Sequence, residues 1–224
     1  MPNYKCIFFS IIFLIISACG CGEESTPLAE QNQPDFEGII LAMGDSLTEG
    51  LGVAEEFAFP ALLQNKLSEQ GYSYKVINAG VSGETSSGAL SRLKWVLRLK
   101  PDLVILVTGA NDGLRGIAPQ LIKSNINSIV QKLKQNDIIV VLGGMQMVQN
   151  LGQDYTAAFS TIYPQVAQSH DIILIPFFLA GVGGKPHLNQ ADGIHPTAEG
   201  YRIIVENIYP YITKAIQIHK ARSK

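Results

Sequence analysis

The chain has 224 residues, 46% of them apolar and 16% charged, with a net charge of −2. A chain of this size and composition can bury a substantial core, so general disorder is excluded and one domain accounts for the length. With 17 Lys and Arg against 19 Asp and Glu, there is no electrostatic case for nucleic-acid binding.

The first residues read as a targeting segment. Positions 1–5 carry one positive charge, and 6–16 form an apolar run broken only by Ser10. That run is shorter than the roughly 20 residues a helix needs to cross a bilayer, and it fits the apolar stretch of a secretory signal. Ile16-Ser17-Ala18-Cys19 resembles the bacterial lipobox, which implies cleavage after Ala18 and lipid on Cys19. An ordinary signal cut after Ala18, or an uncleaved anchor, is the alternative. Residues 20–36 hold Gly, Glu, Ser, Thr, Pro, Gln and Asn with little apolar content, the composition of a flexible tether with a reach of about 20–25 Å. The expected division is therefore a signal over 1–18, a tether over 19–36 and a domain over 37–224. The expected location is the bacterial envelope. It is the outer membrane facing the periplasm if the source is diderm, since Gly20 replaces the Asp that often retains lipoproteins at the inner membrane. Cys6, Cys19 and Cys21 are the only cysteines. All precede the domain, so no disulfide framework or zinc spacing is available, and neither metal nor cofactor is expected.

Within the domain, short apolar runs alternate with amphipathic ones. Residues 38–43 read as a buried strand. Residues 60–70 read as a helix, with Leu62, Leu63 and Leu67 on one stripe and Gly71 as its stop. A second strand over 74–78 and a single helix over 86–97 follow. The third strand covers 103–107, and a helix over 119–135 turns Ile122, Ile126, Ile129, Val130 and Leu133 inward. A fourth strand over 138–142 leads to a helix over 155–169 with Pro164 as a kink. The fifth strand is 172–175. A closing helix over 198–218 has Pro210 as a point where it could break. This alternation predicts a parallel five-stranded sheet covered on both faces, a three-layer α/β/α sandwich. Ligands in such sheets sit beyond the carboxyl ends of the strands.

Those ends carry reactive chemistry. Gly44-Asp45-Ser46-Leu47 follows the first strand, Asn78 to Thr85 the second, and Gly109-Ala110-Asn111-Asp112 the third. Asp192-Gly-Ile-His195-Pro196 lies in the long loop after the fifth. A serine hydroxyl needs a base before it can attack. Of the four histidines, His170 and His219 fall on polar helix ends expected to be solvated, and His187 sits in a Gly/Pro loop with no acid near it. His195 alone has a carboxylate three residues earlier, so Asp192 can fix its tautomer and leave the other ring nitrogen for Ser46. Asn111, the Ser46 N–H and a glycine N–H after the second strand could stabilise an oxyanion. Gly80 and Gly83 both qualify as that glycine. The glycine two residues after the serine in G-x-S-x-G is Thr48 here, and no dinucleotide, Walker or HExxH pattern occurs.

Gly44-Asp-Ser-Leu47, Gly83, Gly109-x-Asn111 and Asp192-x-x-His195, in this order over nearly the whole domain, resemble the four sequence blocks of the SGNH (GDSL-type) hydrolases. Asn111 to Gly116, Phe159 to Pro164 and Pro176-Phe-Phe178 are similar to the bacterial thioesterase I, lysophospholipase L1 and arylesterase branch. The resemblance implies a flavodoxin-like SGNH fold. It gives Ser46 as nucleophile, His195 as base and Asp192 as its orienting partner. The oxyanion hole would be Ser46 N–H, Gly83 N–H and the Asn111 amide, with Gly83 selected over Gly80 by the N-x-x-x-S-G pattern. The expected reaction is hydrolysis of acyl esters, thioesters or lysophospholipids by a monomer through an acyl-enzyme. Carbohydrate O-deacetylation, or ligand binding without catalysis, is the alternative. Ala110 departs from the second glycine usual in that branch. Met145 and Met147 fall where the branch contacts the acyl chain, and core packing accounts for them as well.

Overall fold

The computed structural model describes residues 36–147 and 151–223. The signal, Cys19 and most of the tether lie outside the described residues.

Five parallel strands carry the domain: β1 (Gly38–Gly44), β2 (Tyr74–Gly80), β3 (Leu103–Val107), β4 (Ile139–Gly143) and β5 (Ile173–Ile175). They are ordered β2-β1-β3-β4-β5, so the chain reverses its direction of travel across the sheet between β1 and β3. That switch leaves a crevice beyond the carboxyl ends of the two strands. Register fixes where the crevice lies, because Gly44 of β1 stands beside Gly80 of β2 and Val107 of β3. Both strand-end loops therefore start at one level. The inner strands β3 and β4 are buried along their whole length, which explains their unbroken Leu/Val/Ile runs.

Helices cover both faces. α1 (Ser46–Glu49) caps the end of β1. α2 (Phe59–Glu69) packs with the closing helix α9 (Ala198–Arg222), while α3 (Ser86–Ser91), α6 (Pro119–Lys134) and α8 (Ile162–His170) pack together. α4 (Leu93–Arg98), α5 (Ala110–Leu114) and α7 (Gln153–Ser160) complete the described helices. The three-layer α/β/α architecture expected from the sequence is what the chain adopts.

Three helical expectations need correction. The run 86–97 is two helices, α3 and α4, parted at Arg92. The Arg92 guanidinium turns inward to reach the Ala79 carbonyl at 2.7 Å. The run 155–169 divides at Thr161, three residues before Pro164. Pro164 then falls in the first turn of α8, where a missing N–H leaves no helical bond unmade. α9 does not break at Pro210. The proline faces solvent while Ile208 and Ile212 are fully buried, so the carbonyl it leaves unpaired points to water. The sequence reading also left α1 and α5 as loops.

Candidate active site

Asp45 initiates α1. Its Oδ1 accepts the Leu47 N–H at 3.0 Å, the usual service of an N-cap aspartate. Ser46 thus enters the first turn of a short helix at the mouth of the crevice, buried among its neighbours. On the other side, the loop before α9 is drawn closed where Gln190 N–H meets the His195 carbonyl at 2.7 Å and Asn189 bridges to Pro196. The result places His195 Nε2 2.8 Å from Ser46 Oγ and His195 Nδ1 2.7 Å from Asp192 Oδ2. The other Asp192 oxygen accepts the N–H groups of Ile194 at 2.9 Å and His195 at 3.0 Å. These bonds, that with His195 foremost, hold the Asp192 carboxyl down at about 2. An ionised Asp192 can only accept, so Nδ1 carries the proton and the lone pair of Nε2 faces the Ser46 hydroxyl.

Asp45 has the opposite environment. Its residue is 1% exposed, and burial pushes its carboxyl up to about 6 despite the Leu47 N–H. Its Oδ2 faces Asn111 Nδ2 at 3.3 Å. The same Nδ2 donates to the Glu84 carbonyl at 3.1 Å. Two acceptors around one nitrogen fix which way the amide points. Both amide protons have an acceptor, the contact to Asp45 being the longer. Asn111 is held from behind by α5. Its neighbour Asp112, fully buried, accepts from Ser86 N–H at 2.7 Å and Ser86 Oγ at 2.6 Å, and Asn125 donates to the same Oγ at 3.0 Å. Gly109 precedes α5 with φ +101°, and a Cβ there would stand 2.5 Å from the Tyr163 hydroxyl. Only glycine fits.

The two candidate glycines behave differently. The Gly80 N–H is spent on Asn78 Oδ1 at 3.0 Å. No hydrogen bond among the described residues takes up the Gly83 N–H, and Gly83 sits at φ +74° with its carbonyl held by Arg115 at 2.9 Å. Gly83 is exposed and is not among the residues that line the cleft.

A cleft of about 470 Å³ opens in front of Ser46, His195 and Asn111, with Met145, Met147 and Leu179 on its apolar side. Both methionines stand on this wall, and Met145 is at the same time part of the buried core. The structure thus gathers Ser46, Asp192, His195 and Asn111 at one cleft. The other histidines lie elsewhere, and two correct the expectation of solvation. His219 Nδ1 meets the Tyr74 hydroxyl at 2.7 Å and its Nε2 lies 3.4 Å from Asp102, while His170 Nε2 meets Asn127 Oδ1 at 2.8 Å. Among the described residues no group of three or more His, Cys, Asp or Glu is placed to hold a metal.

Sequence reasoning missed four supports of this site: Asp45, Asp112, Gln190 and the Glu84–Arg92 pair. Gln190 Nε2 ties the Leu51 carbonyl after α1 to the Pro196 carbonyl beside His195, at 2.7 and 3.1 Å. Asp45 and Asp112 each adjoin a named site residue, which was the available signal. Nothing local in the sequence marks Gln190.

Comparison with known proteins gives the family. Residues 42–203 match the model of the GDSL-like lipase/acylhydrolase family. Esterase TesA of Pseudomonas aeruginosa is 44% identical over 172 residues, covering 76% of this chain and 86% of that protein. The thioesterase 1/protease 1/lysophospholipase L1 of Escherichia coli K12 is 38% identical over 168 residues, covering 75% and 79%. The crystal structure of the psychrotrophic esterase EstA from Pseudoalteromonas superposes with a TM-score of 0.77 at 32% identity, covering 81% of this chain and all of that one. By sequence blocks, sheet order and these relatives, the chain belongs to the GDSL-like lipase/acylhydrolase family as an SGNH-type ester hydrolase.

Proposed function

We propose that this hydrolase cleaves acyl esters and thioesters through a Ser46–His195–Asp192 triad and an acyl-enzyme. The observation that carries the reading is the continuous chain Ser46 Oγ, His195, Asp192, with both links under 3 Å. His195 Nε2 takes the Ser46 proton as Oγ attacks the substrate carbonyl carbon. The oxyanion that forms is met by the N–H groups of Ser46 and Gly83 and by the Asn111 amide. Collapse breaks the bond to the alcohol or thiol, which leaves with the proton from Nε2. Water, deprotonated in turn by His195, then attacks the acyl-Ser46 ester and releases the carboxylic acid. The apolar wall of Met145, Met147 and Leu179 supports an acyl chain longer than acetyl as the group held, and so favours this reading over sugar deacetylation.

Residues 1–18 act as a lipoprotein signal, Cys19 carries the lipid and residues 19–36 tether a monomeric domain to the envelope membrane. The lipobox-like Ile16-Ser-Ala-Cys19 supports this. The described domain begins beside the amino end of β1, whereas Ser46 follows its carboxyl end. A strand of this length spans roughly 20 Å. Ser46 and the first described residues of the domain thus lie at opposite ends of β1.

A panel of nitrophenyl esters from acetate to palmitate, with acyl-CoA and lysophospholipid, tests the activity against Ser46→Ala. Ser46-dependent turnover of medium or long chains is expected, and turnover of acetyl esters alone would give the site to deacetylation. Fractionation of Cys19→Ser beside the parent protein tests the anchor. Equal solubility of the two would end the lipoprotein reading.

A further inference from the structure

One ion pair outside the triad touches the strand end before Ser46, the loop that carries Gly83 and the Asn111 amide. Arg92 stands in the break between α3 and α4, and Glu84 follows Gly83 directly. Their side chains are 17% and 7% exposed. Arg92 Nε meets Glu84 Oε1 at 2.5 Å and Nη2 meets Oε2 at 2.8 Å, a two-pronged contact that fixes the guanidinium plane. The same Nη2 donates to the Ala79 carbonyl at 2.7 Å near the end of β2, and to the Gly44 carbonyl at 3.3 Å at the end of β1, two residues before Ser46. The Gly44 carbonyl also receives Val81 N–H at 2.9 Å, and Val81 in turn accepts Glu84 N–H at 3.1 Å. This closes the loop that presents Gly83. Finally, the Glu84 carbonyl is the 3.1 Å acceptor of Asn111 Nδ2. One guanidinium thus links the strand end before Ser46, the Gly83 loop and the Asn111 amide.

We propose that Arg92, acting with Glu84, is the positioning residue that sets the three oxyanion donors relative to one another. Neither side chain lines the cleft, so neither is a catalytic residue or a substrate contact. At the break between α3 and α4, Arg92 reaches the ends of two strands. Lysine would keep the charge but lose the fork that spans Glu84 and two carbonyls at once. The inference rests on the reading of Ser46 as nucleophile.

The test compares Arg92→Lys, Arg92→Met and Glu84→Gln with the parent protein. Three quantities are read: kcat and KM on a nitrophenyl ester, the rate at which a fluorophosphonate labels Ser46, and folding by circular dichroism. Displaced donors are expected to lower kcat and the labelling rate about 10- to 100-fold while KM stays within about twofold. Folded Arg92→Lys and Glu84→Gln proteins with kcat and labelling within about twofold of the parent would overturn the proposal, as would a loss confined to KM. Should Arg92→Met fail to fold, the other two variants decide. A parent protein that labels at Ser46 but cleaves none of the esters would remove the substrate assignment and leave Arg92 testable by labelling rate. A parent protein that neither labels nor cleaves would remove the shared reading of Ser46 and this inference with it.

Discussion

Asp45 spends one oxygen on the Leu47 N–H at 3.0 Å and aims the other at the Asn111 amide 3.3 Å away, all while almost wholly buried. A second carboxylate thus stands beside Ser46, with burial raising it from 3.8 to about 6. Below 3.8 the folded and unfolded chains both hold this proton. Between 3.8 and about 6 the folded chain keeps a proton the unfolded chain has lost, and above that range the folded state carries a buried charge. The stabilisation from this group is therefore full at acid pH and lost as pH rises through about 6, by about 3 kcal/mol. Asp45→Asn retains an oxygen to cap Leu47 and has no such titration. Denaturant unfolding should find the variant gaining on the parent by about 3 kcal/mol between about pH 4 and about pH 8. A difference that does not vary with pH would show that Asp45 is not buried in this way.

Ser46→Ala should abolish ester hydrolysis, by about 10³-fold or more, with the fold intact. The substitution removes one oxygen at a helix first turn and leaves the Asp45 cap in place. Near-parent turnover in a variant with an unchanged melting curve would assign the nucleophile elsewhere.

His195 takes the Ser46 proton only with Nε2 unprotonated. Asp192 fixes that tautomer, and its hydrogen bonds hold it ionised down to about 2. Asp192→Asn tests this. Its oxygen would stay on the Ile194 and His195 N–H groups and its NH₂ would face Nδ1. That arrangement forces the proton onto Nε2, where it points at Ser46. A fall in kcat of about 10³–10⁴-fold is expected. A variant within tenfold of the parent would show that the tautomer is fixed by something other than Asp192.

Asn111→Ala should lower kcat about 10²–10³-fold with little change in KM, because its amide meets charge that develops only in the transition state. An unchanged kcat with a raised KM would make Asn111 a ground-state contact.

The strands and the contact between Asp192 and His195 were legible because each announces itself locally. Short runs rich in apolar residues gave the strands, and the Asp192-x-x-His195 spacing gave the pairing of carboxylate and imidazole. What the sequence hid depends on tertiary contact. Leucine spacing argues for one helix over 86–97, and the break at Arg92 coincides with contacts to Ala79 and Gly44 that the local sequence does not announce. Pro164 looked like a kink because nothing in the sequence placed the helix start at Ile162. His219 looked solvated on its helix, yet the partners that bury it, Tyr74 and Asp102, are more than 100 residues away. Asp45 was visible beside Ser46, but its neighbour Asn111 and the burial that raises it arise only when β1 and β3 lie side by side.

Acyl-chain selection should be set at Met147 and not at Met145. Both line the cleft, but Met145 is 4% exposed and belongs to the core, whereas Met147 is half-buried on the cleft wall. Truncating a buried methionine costs about 2–5 kcal/mol, so any change in Met145→Ala would mix specificity with stability. Met147 can be altered in both directions at smaller structural cost. Met147→Trp fills the apolar side of the cleft and should lower kcat/KM for long-chain relative to short-chain nitrophenyl esters by about tenfold or more. Met147→Ala opens the same space and should move the ratio the other way. The ratio of kcat/KM values for butyrate, octanoate and palmitate esters, taken from folded proteins, is the quantity to compare. If both variants scale all three esters by one common factor, the acyl chain does not lie along this wall.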